Sequence, residues 1–413
     1  MTVVRALQPP PEAPLQVARV LHTAGFEAWF VGGCVRDRLL GREVGDWDLT
    51  TNARPEQVIP LFARTIPTGI AHGTVTVVLG GSSIEVTTYR VELGYSDGRR
   101  PDGVAFTDDL RRDLERRDFT INAMAWDPDR GLLVDPFGGQ ADLADRCLRA
   151  VGRAFDRFSE DGLRTLRAIR FATVLDFDIE PLTFAAIRET LAVFRQVSAE
   201  RIHVELVKIL GSPHAGRGLS WLIESGLLDE FLPGLPLEAS SIADALRVAV
   251  PSLTVRCALL FGELHDPAAG LTRLKFSLAQ RRDILAVLAS REIDPEAVLT
   301  DADARRFVAK VGKENLDAIE GYQAALSADQ TAWSGLFGRL SRCGARDAPV
   351  TARELALTGH DVMSRLALPP SREVGRIVQA LIERVLEAPE LNDAETLAAL
   401  LPEVAASLRP DER

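Results

Sequence analysis

The sequence predicts an α+β head with a small mixed sheet, followed by an all-α remainder. Three observations carry that prediction. Up to about residue 137, short β-like runs alternate with helical candidates and Gly/Asp turns. After Asp135-Pro136-Phe137-Gly138-Gly139 the strand signals stop. From there to about residue 407 the text is amphipathic helices, broken at Gly211-Ser212-Pro213, Leu232-Pro233-Gly234 and Pro369-Pro370-Ser371.

Composition bounds what such a chain does. Its 413 residues exceed one domain of roughly 100–200 residues. At 46% hydrophobic and 26% charged it holds enough apolar material for sizeable cores. No run approaches the ~20 apolar residues of a membrane span, and Met1–Arg5 followed by Pro9-Pro10-Pro11 lacks a signal peptide's apolar core. A cytoplasmic protein is the expectation. Cys34, Cys147, Cys257 and Cys343 stand far apart, with no CxxC pair, so neither a zinc site nor a disulfide framework follows. A net charge of −11 argues against a nonspecific basic nucleic-acid binder. Only four of the 48 basic residues are Lys, so cationic sites are built from Arg, which pairs bidentately with phosphate and planar base edges.

The β-like runs are Ala28–Val31, Trp47–Thr50, Thr74–Leu79, Ser83–Tyr89 and Ala123–Trp126. The first leads into Gly32-Gly33-Cys34-Val35-Arg36-Asp37. Paired glycines between strand and helix let backbone N–H groups approach a phosphate, and Arg36, one turn in, reaches the same anion. The second run contains Asp46-Trp47-Asp48. Alternation along a strand puts Asp46 and Asp48 on one face, roughly 6–7 Å apart, where a divalent cation relieves their repulsion. In Ser83–Thr88, Glu85 projects opposite Ile84 and Val86 and offers a third carboxylate, though an exposed strand acid is as good a reading. Arg116-Arg117-Asp118 before Phe119-Thr120-Ile121-Asn122 sets phosphate and sugar partners against core residues. In Glu160–Phe171, Asp161, Arg164, Arg167 and Arg170 recur every three residues as one stripe beside Leu163, Leu166 and Ile169.

In this order, joined by Gly69-Ile70-Ala71-His72-Gly73-Thr74 and Asp135–Gly139, these motifs resemble the bacterial/eukaryotic-type tRNA nucleotidyltransferases (CCA-adding enzymes) of the polymerase-β-like superfamily. The resemblance is close through about residue 210, Ser198–Leu210 included. It implies a nucleotidyltransferase palm as head (1–138), a neck with a nucleotide-selecting helix (139–212), a body (213–345) and a tail (346–413). It implies Mg²⁺ on Asp46 and Asp48, with Glu85 as a possible catalytic companion. Gly33, Arg36 and Arg117 would meet the nucleotide's phosphates or sugar. Asp161 and Arg164 would read the base, supported by Arg167 and Arg170. The implied reaction is in-line attack of the tRNA 3′-hydroxyl on the α-phosphate of CTP or ATP, releasing pyrophosphate.

Two relatives share the motifs: an enzyme adding only the terminal A, and a bacterial poly(A) polymerase, which Gly69–Thr74 matches less well. A catalytically dead RNA-binding module conflicts with the intact Asp46, Asp48 and Asp161. His265-Asp266 and His360-Asp361 are incidental, since six histidines leave no further ligands at helical spacing for a metal phosphohydrolase. Val91–Val104, with three glycines and a proline, is expected to be an exposed loop. It resembles the flexible loop of CCA-adding and A-adding relatives, which implies that deleting Gly94–Gly103 blocks A addition far more than C addition.

Overall fold

The computed structural model describes residues 2–3, 7–94, 103–235, 240–326 and 330–408. The chain separates into two compact units, residues 1–243 with 273–275, and 244–272 with 276–413.

Among the described residues the first unit carries twelve short strands: β1 (Thr2–Val3), β2 (Ala28–Val31), β3 (Asp48–Thr51), β4 (Thr65–Gly69), β5 (Thr74–Leu79), β6 (Ser82–Thr88), β7 (Arg90–Leu93), β8 (Gly103–Phe106), β9 (Ala125–Asp127), β10 (Leu132–Val134), β11 (Cys147–Leu148) and β12 (Asp178–Ile179). Eight form one sheet in the order β1-β10-β9-β2-β3-β6-β5-β4. Only β3 and β6 pair in parallel within it, so the sheet is mixed as expected. That parallel register sets Asp48 opposite Glu85. The centre is apolar because β2 is buried along its whole length, with Phe30 packed against Trp47 and Trp126.

Helices α1 (Glu12–Thr23), α2 (Gly33–Leu39), α3 (Pro55–Val58), α4 (Leu110–Glu115) and α5 (Gly139–Ala144) accompany the strands. The unit continues through α6 (Ala154–Glu160), α7 (Leu163–Leu175), α8 (Pro181–Glu189), α9 (Leu191–Phe194) and α10 (Ala199–Gly211). On α7, Leu163, Leu166 and Ile169 are buried, as the stripe requires.

Four expectations are corrected. Strand pairing does not stop at Gly139, because β11 and β12 form a two-residue parallel ladder within the helical region. The β-like run at Ala123 begins at Ala125, since Thr120–Asn122 closes a 3-10 turn first. Asp46 precedes β3 rather than lying in it, although Trp47 still turns inward between the two aspartates. Asp161 lies off the helix, in an extended link between α6 and α7. The loop expected at Val91–Val104 has paired flanks, β7 with β8, and its middle lies outside the described residues.

The second unit consists of helices and short turns from Leu253–Phe261 to Ala394–Ser407. Both His-Asp pairs lie there, and their aspartates serve backbone geometry. Asp361 forms a capping box with Thr358, and Asp266 accepts from the Ala269 N–H at 2.9 Å. Among the described residues no helix is long and apolar enough to cross a membrane.

Candidate active site

The turn from β2 into α2 is the first piece of the site. Gly32 sits at φ 75°, ψ −132°, a conformation that disfavours any side chain, and a Cβ there would stand 3.0 Å from Arg117 Nη1. Gly33, the glycine singled out by its motif, has no such restriction: its Cβ would meet Arg36 Nη2 at 3.6 Å. The backbone requirement therefore falls one residue earlier than the motif suggested.

A cavity of about 500 Å³ opens beside this turn, within the roughly 300–1,000 Å³ usual for small-molecule sites. It brings together Gly33, Arg36, Asp48, Arg117, Asp161, Arg164, Arg167 and Arg170. Asp46 and Glu85 are exposed and lie outside this lining, yet both act electrostatically on Asp48. Burial first, then the Glu85 charge, push the Asp48 carboxyl up to about 6 against the pull of Arg117, and Asp46 adds to the rise.

That crowding is the test of a cation. The charges of Glu85 and Asp46 act on Asp48 where its ionisation is already costly, and a hard divalent ion is a partner that relieves such crowding. Among the described residues no group of three or more His, Cys, Asp or Glu is placed to hold a metal ion by itself. A cation beside Asp48 would complete its shell with water and substrate phosphate.

The floor of the cavity is a chain of hydrogen bonds. Arg36 Nε and Nη2 donate to Asp37 at 2.9 and 2.8 Å, and its Nη1 donates to Asn122 Oδ1 at 2.8 Å. Asn122 Nδ2 donates to Asp118 Oδ1 at 3.0 Å, and Arg167 donates twice to Asp118 Oδ2, at 2.9 and 2.6 Å. Burial opposes the Asp118 charge, but Arg167 and Asn122 hold the carboxyl down at about 2. Arg117 pairs with buried Asp113 at 3.5 Å, and its Nε is buried without a hydrogen-bond partner.

The wall is α7. Arg164 donates to Glu160 and, at 3.2 Å, to the Arg116 carbonyl. Arg170 donates to Glu205 at 2.8 Å and lies 3.4 Å from the centre of the Phe171 ring, which Arg36 and Arg167 also approach at 5.0 and 5.2 Å. The arginine row thus has the anionic partners it needed, supplied by the protein itself. Asp161 is held by Arg201 and by the Leu163 N–H.

Arg201, Asn122, Phe171 and Gly32 complete the site without having been singled out. All four sit inside runs that were read, but their parts depend on partners 40 to 135 residues away or on a backbone angle. The seven arginines and three aspartates lining the cavity make it cationic within a protein of net charge −11. Such a site suits a triphosphate with a planar, hydrogen-bonding base.

Comparison with known proteins bears on this geometry. The family described as "Poly A polymerase head domain" matches residues 28–149, and "Probable RNA and SrmB- binding site of polymerase A" matches 176–237. A CCA-adding enzyme of Lactobacillus delbrueckii subsp. bulgaricus is 37% identical over 393 residues, covering 94% of this chain and 96% of its own. One from Geobacillus kaustophilus is 36% identical over 404 residues, covering 96% and 98%. The crystal structure of Bacillus stearothermophilus CCA-adding enzyme in complex with CTP superposes with a TM-score of 0.81 at 34% identity, covering 97% of this chain and 99% of that one.

Proposed function

Since this chain belongs to the family of CCA-adding enzymes, we propose that it builds CCA onto the 3′ end of tRNA from CTP and ATP through the cavity described above. The observation that carries the reading is that Asp48, the Gly32-Gly33 turn and the pair Asp161 and Arg164 share one cavity. The relatives are named for adding CCA, so enzymes adding only A, or polyadenylating enzymes, are not favoured.

In this reading Asp46 and Asp48 hold Mg²⁺, with Glu85 opposite Asp48 adding negative charge beside it. The ion, when bound, supplies positive charge at the α-phosphate and lowers the pKa of the attacking 3′-hydroxyl. The Gly32-Gly33 turn, Arg36 and Arg117 bind the triphosphate and sugar, and Arg167 and Arg170 line the same cavity as cationic support. Pyrophosphate leaves as the new phosphodiester forms, and no covalent enzyme intermediate is needed.

Base choice follows from hydrogen-bond polarity. Cytosine and adenine each present an exocyclic amine donor beside a ring-nitrogen acceptor. Asp161 accepts from the amine, and Arg164 donates to the ring nitrogen. Uracil and guanine present the reverse pattern and would leave both side chains facing like polarity, a penalty large enough for strong discrimination. A head (1–138), neck (139–212), body (213–345) and tail (346–413) remain our functional division, with tRNA held on local Arg patches of the helical parts. A cytoplasmic reaction belongs to the same proposal.

Three tRNA substrates test it, lacking CCA, ending in C and ending in CC, each with CTP, ATP and Mg²⁺. Growth by three, two and one nucleotides is expected, and none with Asp46→Ala or Asp48→Ala whose circular dichroism is unchanged. Extension of the CC-ending substrate alone, or runs of A, would overturn it.

A further inference from the structure

Helix α10 carries Arg201 and Glu205 one turn apart, and each grips a side chain of the cavity. Glu205 accepts from Arg170 Nε at 2.8 Å. Arg201 forks onto Asp161, with Nη2 to Oδ2 at 2.6 Å and Nη1 to Oδ1 at 3.2 Å. The pair is partly shielded, with the Asp161 side chain 16% and the Arg201 side chain 25% exposed, so it is stronger than a solvated surface pair. Arg201 itself lines the cavity.

An ionised carboxylate offers about four acceptor positions. Asp161 Oδ1 uses two of its own, on the Leu163 N–H at 3.0 Å and on Arg201 Nη1. Oδ2 uses one on Arg201 Nη2, which leaves one acceptor position on that oxygen. One acceptor is what a single exocyclic amine N–H consumes. Asp161 also lies in an extended link rather than on α7, so no helix fixes the torsion of its side chain. Among the described residues, the Leu163 N–H and the Arg201 fork hold the plane of the carboxylate.

We propose that Arg201 is a positioning residue for base selection: its fork aims the free acceptor of Asp161 and so sets discrimination against bases that present a carbonyl there. The inference rests on the reading of Asp161 as the amine acceptor. Without the fork the carboxylate turns about its Cβ–Cγ bond, water satisfies it in several orientations, and the wrong base is no longer penalised. Glu205 tethers Arg170 from the same helix, so α10 acts as a brace behind two cavity side chains.

The test uses the full chain with Asp161→Ala, Arg201→Met, Arg201→Lys and the double variant Asp161→Ala/Arg201→Met. Single-nucleotide addition to a tRNA lacking CCA gives kcat/KM for CTP and for UTP. Arg201→Met is expected to lower the CTP-over-UTP ratio at least tenfold, mainly through a higher KM for CTP. Arg201→Lys, which keeps the charge and one hydrogen bond, recovers part of the ratio and serves as the folded control should the Met variant prove unstable. Because Arg201 acts through Asp161, the double variant matches Asp161→Ala within about threefold.

A ratio unchanged in both Arg201 variants, with only rate lost, overturns the proposal, as does a multiplicative loss in the double variant. A lower KM for CTP in Arg201→Met with the ratio intact also overturns it, because Arg201 would then compete with the nucleotide. If Asp161→Ala itself keeps full discrimination, the reading of Asp161 fails and the inference falls with it, an outcome distinct from the other three.

Discussion

Asp48 stands where the chemistry of the site and the stability of the fold conflict. Its carboxyl is pushed up to about 6, by burial first and by Glu85 next, whereas in the unfolded chain an aspartate titrates near about 4. A folded-state value raised in this way means the native protein loses stability as pH climbs from about 4 to 6, and the penalty is complete above that window. Asp48→Asn should therefore be more stable than wild type at pH 7.5 by on the order of 1–3 kcal/mol, and unfold at a higher temperature, with the gap closing below about pH 4. The same variant should lose incorporation and lose stabilisation by Mg²⁺. Equal unfolding temperatures at pH 7.5 would contradict the charge crowding. Gly32 gives a second case. Gly32→Ala introduces strain of about 1–3 kcal/mol and presses on Arg117, so calorimetry should show the loss and incorporation should fall with it. The residues legible from sequence were those whose type alone states the chemistry, such as Asp48, Arg117 and Asp161. Arg201, Asn122 and Gly32 were not, because a guanidinium, an amide and a glycine become specific only through a distant partner or a φ angle.

Among the elements, the strand–turn–helix of β2 and α2 and the buried stripe of α7 were readable, because alternation and 3.6-residue periodicity are local. The junction between α6 and α7 was not. Spacing of three from Asp161 to Arg170 suggested one continuous helix, yet the chain is extended at Asp161, and Gly162, already at helical angles, fits closely against Phe194. A Cβ on Gly162 would lie 2.7 Å from the Phe194 Cα and 2.8 Å from its nitrogen. Gly162→Ala must therefore push the junction away from α9. It should cost about 1–3 kcal/mol in denaturant unfolding and, by moving Asp161, reduce the CTP-over-UTP ratio more than a core substitution of equal cost. A variant as unstable but fully selective would mean that the junction does not set the position of Asp161. The short β11–β12 ladder escaped notice for a different reason. Two-residue strands carry no periodicity, and only the return of the chain after α7 pairs them.

For the whole molecule, an acidic chain lines one cavity with seven arginines and pairs them with its own carboxylates, Asp37, Asp113, Asp118, Glu160 and Glu205 among them. This explains how net charge −11 coexists with nucleotide binding: the global charge says little about a local field. It also explains how the site stays ordered, since each guanidinium lining the cavity is held by an acid of the protein. In the proposed reading, a single protein surface reads both cytosine and adenine. The most direct measurement is kcat/KM of Asp161→Ala for CTP on a tRNA lacking CCA and for ATP on a tRNA ending in CC, each against UTP and GTP. The account predicts that both correct nucleotides weaken together and that discrimination against both wrong ones collapses. Loss confined to one of the two bases, or full selectivity at a reduced rate, would contradict it.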